Sequence, residues 1–152
     1  MEYSRVKFSE PIRSTINDNT ILTPNTAATI IPLILNVIRH YHLDESSLDE
    51  ENHLNKTILT YHRIIETFKH AFAKRTELGD PDFVVNVNEV VTQMLSDEYA
   101  HRIRNVVDDN NSFLDTKHYA SKYVTPENHG TSHISIITAT GDAVSITSSI
   151  NY

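Results

Sequence analysis

The sequence predicts an α+β fold, mainly helical over residues 26–110 and followed by a C-terminal β-hairpin. Three observations carry that reading. Between Leu54 and Phe72, large apolar residues recur at alternating steps of four and three, which is the period of one helix face. From Thr131 onward the period drops to two, as in a half-buried strand. Hydrophobic residues make up 39% of the 152, enough for a core and too many for a disordered chain.

Composition removes several classes of function. The 13 basic residues are outnumbered by 20 acidic ones, giving a net charge of −7. A surface built to hold polyanions is basic, so nucleic acid is not an expected partner. There is no cysteine, hence no disulfide framework, thiolate metal site or cysteine nucleophile. The three glycines, Gly79, Gly130 and Gly141, cannot supply a Walker A loop or a G-x-G-x-x-G turn. The segment Met1 to Lys7 has no apolar region of a signal peptide. The longest apolar run, Ala27 to Ile38, is interrupted by Thr29, Pro32 and Asn36 and is too short to span a bilayer. Taken literally, this reads as a soluble cytosolic chain of one domain, or a piece of something larger. The sequons at Asn55 and Asn110 are too common a pattern to argue for secretion.

Taken in order, residues 1–25 show no clear period, and Thr23-Pro24-Asn25 signals a turn. A helix is expected from near Thr29 as N-cap, with Pro32 tolerated in its first turn. Its apolar residues, Ile30 to Ile38, cover most of the circumference, which belongs in an interior and hints at missing partner surface. Asp44 to His53 reads as a polar loop without the spacing or glycine of an EF-hand. The clearest helix runs from about Lys56 to Leu78. Its stripe is Leu54, Ile58, Tyr61, Ile65, Phe68 and Phe72, with Lys74 and Arg75 in the last turn, Gly79 as C′ residue and Pro81 beyond. The stripe covers under three heptads, so packing onto a domain core is expected rather than an independent coiled coil. Asn88 is expected to cap a helix Glu89–Leu95. Ser96 is expected to cap another, with Asp97 and Glu98 in its first turn and Tyr99, Ile103, Val106 and Val107 as its stripe. Asp108 to Thr116 is polar loop.

The hairpin carries the alternation Ile134, Ile136 and then Val144, Ile146, Ile150 around Ala139-Thr140-Gly141-Asp142. Three-residue hairpin loops commonly end on a left-handed glycine. With Ala139-Thr140-Gly141 as the loop, Thr138 faces Asp142, Thr131 faces Ser149 and His133 faces Thr147. Asn151 lies two residues further along the same face. A different loop would flip that register.

Candidate chemistry is sparse. The nine histidines include no H-E-x-x-H, and His62 and His70 lie more than two helical turns apart, so no metal or cofactor is expected. No G-x-S-x-G elbow occurs. There remains Gly130-Thr131. A threonine hydroxyl is a weak nucleophile without an adjacent base, and one solution is its own α-amino group, freed by cleavage before it.

The run Pro126 to Ser135, followed by Gly141 to Asn151, resembles the subunit junction of the gamma-glutamyltranspeptidase (glutathione hydrolase) family. Tyr61-His62-Arg63-Ile64-Ile65-Glu66 and Ala73 to Pro81 resemble that family's large-subunit helix and following turn. The resemblance runs over essentially the whole chain. It implies a fragment of an N-terminal-nucleophile hydrolase of αββα fold, with no cofactor. Residues 1–130 would be the C-terminal part of the large-subunit-like region and 131–152 the start of the small-subunit-like region. Self-cleavage would fall between Gly130 and Thr131. Thr131 would then be the catalytic nucleophile, and Ser149, Ile150 and Asn151 the substrate-binding stretch, with serine where the family commonly has threonine. The implied substrates are glutathione and other γ-glutamyl compounds, with water, amino acids or dipeptides as acceptors. The implied partners are the rest of the large and small subunits. The family's carboxylate-binding arginine would precede Met1, and its acidic pair, Ser-Ser and Gly-Gly elements would follow Tyr152. Relatives of full length are expected at the extracellular face of the plasma membrane or secreted. A second reading is a truncated, non-catalytic paralogue that binds a partner through its apolar helix and hairpin.

Overall fold

A computed structural model describes residues 8–24, 26–123 and 130–149. It opens with a hairpin where no element was expected: β1 (Ile12–Ile16) pairs antiparallel with β2 (Asn19–Thr23), Ile16 opposite Asn19. The turn explains it. Asn17 and Asp18 both take left-handed φ, 47° and 64°, as a two-residue type I′ turn requires. Asn and Asp tolerate that region better than other L-residues, and the Asn19 side chain donates to the Asn17 carbonyl at 3.0 Å.

The next helix, α1 (Ile30–Arg39), begins where expected, but Thr29 does not cap it in the expected way. Thr29 is itself in the right-handed helical region, and its hydroxyl donates back to the Thr26 carbonyl at 2.5 Å. Only part of the apolar circumference is covered: Leu33 and Val37 are fully buried, while Ile31 and Leu35 stay largely exposed.

The segment before α2 holds a short 3-10 turn, Glu45–Leu48. Asp44 anchors it, accepting from Ser46 and Ser47 and from Lys56 Nζ at 2.7 and 2.8 Å. The Lys56 ammonium first, and then the Ser46 hydroxyl, hold the Asp44 carboxyl well below the usual carboxylate range.

The long helix, α2 (Leu54–Arg75), is present, but its expected packing is reversed. The stripe Leu54, Ile58, Tyr61, Ile65, Phe68 and Phe72 faces outward. The buried face is Thr57, Thr60, Glu66, Thr67, Ala71 and Ala73. Small side chains there let α1 approach closely. Two of the buried hydroxyls are satisfied within the helix, Thr60 donating to the Lys56 carbonyl at 2.9 Å and Thr67 to the Arg63 carbonyl at 2.7 Å. Gly79 is also not the left-handed C′ residue; the C-cap is Thr76 in right-handed conformation. Gly79 answers to space instead, because a Cβ there would sit 2.6 Å from Val84 Cγ2.

The pair α3 (Val87–Leu95) and α4 (Asp97–Val106) closes the helical layer. Asn88 lies inside α3 rather than capping it; the residue before the helix is Asn86, left-handed at φ 73°. Ser96 does cap α4, accepting from the Tyr99 amide at 3.2 Å. The core is Leu33, Val37, Ala71, Met94, Ala100 and Ile103, drawn from all four helices. A further 3-10 turn, Thr116–Tyr119, returns the chain onto α2. The C-terminal hairpin is β3 (Thr131–Ile137) paired antiparallel with β4 (Ala143–Ser149). The architecture is α+β, helical in the middle with a hairpin after it.

Candidate active site

The register of β3 and β4 is the one the loop chemistry predicts. Thr131 pairs with Ser149, His133 with Thr147 and Ser135 with Ser145. The Thr138 amide donates to the Asp142 carbonyl at 2.9 Å, the Gly141 amide donates to Thr138 at 3.0 Å, and Gly141 is left-handed at φ 91°. Glycine is the residue that takes this conformation without a Cβ penalty. Because strand side chains alternate, the hairpin has two faces. One holds Ile134, Ile136, Val144 and Ile146, and the other begins at Thr131.

That second face is a run of hydroxyls bridged by an imidazole. His133 Nδ1 lies 2.8 Å from Thr147 Oγ1, and its Nε2 lies 3.0 Å from Ser135 Oγ and 3.2 Å from Ser145 Oγ. One ring thus ties both strands one step along from Thr131. Before Thr131, Gly130 sits at φ 106°, a conformation L-residues rarely adopt. A Cβ at Gly130 would meet nothing within 4 Å, so the constraint there is backbone conformation and not space. Of the expected site residues, the structure therefore brings Gly130, Thr131 and Ser149 together by register. Ile150 and Asn151, like the residues from Pro126 to His129, lie outside the described residues.

A second polar cluster, outside the expected site residues, lies where the loop after α4 crosses α2. Glu66 is buried. It accepts from Tyr119 Oη at 2.7 Å, Lys69 Nζ at 2.8 Å and Ser112 Oγ at 2.8 Å. Burial alone would raise its pKa; the bonds from Lys69, Tyr119 and Ser112 outweigh that and leave it lowered. Beside it, Arg63 clamps Asp109 through Nε at 2.8 Å and Nη2 at 2.6 Å, and this pairing holds the Asp109 carboxyl down. The available sequence signal was Glu66 three residues before Lys69 on one helix face. Among the described residues, no group of three or more His, Asp or Glu could hold a metal ion, and no helix is long and apolar enough to cross a membrane. A cavity of about 1010 Å³ lies between the first hairpin and α1, lined by Ile16, Asn19, Ile38, Arg39 and Asp97; none of its lining comes from β3 or β4.

These elements define an α+β chain, helical in the middle with a β-hairpin after it. A crystal structure of Helicobacter pylori gamma-glutamyltranspeptidase shares the fold at a TM-score of 0.53 and 22% identity, over 69% of this chain and 28% of that one. The sequence model of the gamma-glutamyltranspeptidase family matches residues 1–152, and the chain belongs to that family. It is 38% identical over 149 residues to glutathione hydrolase 2 of Arabidopsis thaliana, covering 96% of this chain and 24% of that protein. It is 39% identical over 150 residues to glutathione hydrolase proenzyme 1 of Schizosaccharomyces pombe, covering 96% of this chain and 23% of that protein. The chain thus spans about a quarter of the length of these relatives.

Proposed function

We propose that this chain carries the self-cleaving junction and nucleophile of a glutathione hydrolase. Residues 1–130 form part of the large-subunit-like region and 131–152 begin the small-subunit-like region. In the first reaction Thr131 Oγ attacks the Gly130 carbonyl carbon. The Gly130–Thr131 amide bond breaks, its nitrogen takes the proton, and an ester to Thr131 forms. Water then hydrolyses the ester, leaving the Gly130 carboxylate and a free Thr131 α-amine. In the second reaction that amine takes the hydroxyl proton as Oγ attacks the γ-glutamyl amide of glutathione. The leaving amine departs with the proton, and a γ-glutamyl ester on Thr131 remains. Water, an amino acid or a dipeptide then receives the γ-glutamyl group. Ser149, Ile150 and Asn151 hold the nucleophile and the glutamate head, and the rest of the two subunits completes the pocket. The site of action is the extracellular face of the plasma membrane or the secreted space.

The observation that carries this reading is the pairing of Thr131 with Ser149 directly after a glycine at φ 106°. A shared backbone rung suits a nucleophile and a partner residue on the facing strand, and the backbone bend suits attack on the preceding carbonyl. Both faces of the described hairpin are exposed. The 152 residues alone are therefore expected to leave γ-glutamyl-p-nitroanilide essentially unhydrolysed. Placed in a polypeptide of the relatives' length, the sequence is expected to yield a new N-terminus at Thr131 by intact-mass spectrometry, and Thr131→Ala stops both cleavage and turnover. Turnover by a chain that stays uncleaved at Gly130 would overturn the self-cleavage reading.

The outward stripe of α2 favours a second reading, in which the chain binds a partner without catalysis. Absence of turnover in the longer polypeptide would decide for it.

A further inference from the structure

The proposed chemistry leaves one side chain on the hydroxyl face of the C-terminal hairpin without a role, His133. The ladder shows why a brace belongs there. The Thr138 amide donates to the Asp142 carbonyl, so these two make a hydrogen-bonded rung. Rungs alternate in class along an antiparallel pair. Ser135–Ser145, His133–Thr147 and Thr131–Ser149 therefore belong to the other class, with facing Cα atoms about 4.5 Å apart. On such rungs cross-strand side-chain pairs carry much of the alignment. The Thr131–Ser149 rung is also the last of the described ladder, farthest from the Gly141 turn. Ladder ends open first.

One imidazole serves the two rungs inside that end. Across its own rung, His133 Nδ1 lies 2.8 Å from Thr147 Oγ1. On the next rung, Nε2 lies 3.0 Å from Ser135 Oγ and 3.2 Å from Ser145 Oγ, and those two oxygens are 3.3 Å apart. Every partner is a hydroxyl, which donates or accepts as required, so the brace holds whichever nitrogen carries the proton. Both nitrogens are engaged, one on the ring's own rung and one on the rung away from Thr131. The ring thus acts on Thr131 through the strands and not on its hydroxyl.

We propose that His133 is a positioning residue for Thr131. By tying Thr147 and Ser145 of β4 to β3, it keeps the Thr131–Ser149 rung aligned, first for self-cleavage and then for attack on the γ-glutamyl amide. This role rests on the catalytic reading of Thr131.

The test places the sequence in a polypeptide of the relatives' length. Self-cleavage is followed by intact-mass spectrometry, and turnover of γ-glutamyl-p-nitroanilide is measured per cleaved molecule. His133→Ala is expected to slow cleavage and to lower kcat by about tenfold to a hundredfold, the effect of a misplacement near 1 Å, with KM little changed. Thr147→Val keeps the shape and removes the hydroxyl. It is expected to reproduce that loss, and the double variant to be no worse than either single one. His133→Asn puts a carboxamide where Nδ1 lies and is expected to recover most of the rate with an unchanged pH profile. The 152-residue chain gives a readout without catalysis. Facing Hα atoms on this class of rung give a strong nuclear Overhauser effect. The Thr131–Ser149 cross-peak is expected in the wild type, weakened in His133→Ala and regained in His133→Asn. Should His133→Ala unfold, Thr147→Val gives the same readouts. An active wild type whose His133→Ala variant cleaves and turns over equally well, or keeps the cross-peak unchanged, overturns this proposal alone. A wild type that neither cleaves nor turns over overturns the catalytic reading and this role with it. A His133→Asn variant as inactive as His133→Ala, with the acidic limb of the pH profile gone, would make the ring a proton acceptor and overturn the positioning role.

Discussion

The helical layer and the C-terminal hairpin are held by different means. In the helical layer, α1 to α4 bury a shared core that includes Leu33, Val37, Met94 and Ile103. The loop that leaves α4 is fastened onto α2 by Arg63–Asp109 and by the Glu66 cluster. The hairpin has no such interior. Ile134, Ile136, Val144 and Ile146 are all largely exposed, and what defines its geometry is strand register, the Gly141 turn and the His133 bridge. Two-stranded hairpins are marginal by themselves. Stability thus resides in one region and candidate chemistry in the other.

Paired truncations of equal chemistry break or sharpen that contrast most strongly. Leu33→Ala removes a fully buried side chain from a core contributed by four helices. It is expected to cost about 2–5 kcal/mol in urea unfolding. Ile134→Ala removes a similar volume from a side chain that is 52% exposed. It is expected to stay within about 0.5 kcal/mol. Equal losses at the two positions would mean that the hairpin is packed, contrary to its exposure.

The middle-sized effect belongs to Glu66, which fixes the loop that leaves α4. Glu66→Gln removes the charge that Lys69 pairs with while Tyr119 stays buried against it. The expected loss is about 1–3 kcal/mol. The pH dependence follows from the direction of its shift. Glu66 is lowered from its ordinary value of 4.5, so the folded state binds its proton less readily than the unfolded chain. Its contribution is fully present above about 4.5 and is lost as pH falls through the lower folded value. Wild type should lose stability below that pH more steeply than Glu66→Gln. Parallel acid unfolding curves for the two proteins would remove Glu66 as the cause.

Legibility in the sequence followed where the deciding physics was local. The β3–β4 register was readable because Gly141 fixes the turn and a turn fixes a register. The Ser96 cap was readable because the hydroxyl acts on an amide three residues away. The inverted packing of α2 was not. An apolar stripe says that one face seeks a partner, but here threonines and alanines form most of the buried face, and the Thr60 and Thr67 hydroxyls are satisfied by their own helix. Hydropathy scores such a face as solvent. The β1–β2 hairpin was missed because Asn17-Asp18 lacks the glycine that usually marks a type I′ turn. At the site, Gly130 and Thr131 were found through a motif, and Glu66 was missed because its partners Ser112 and Tyr119 lie far along the chain.

The smallest effect tests whether local caps matter where a core already holds the helices. Ser96 closes α3 and opens α4, its Oγ accepting from the Tyr99 amide while donating to the Gln93 carbonyl at 2.7 Å. Ser96→Ala leaves that amide without its partner, and Asp97 and Glu98 in the first turn cannot replace a capping hydroxyl. The expected loss is about 1 kcal/mol, less than that of Leu33→Ala, and Ser96→Asp should recover most of it because a carboxylate caps as well as a hydroxyl. A loss as large as that of Leu33→Ala would mean the α3–α4 corner holds Met94 and Ile103 in place, and the helical layer would then depend on its turns as much as on its core.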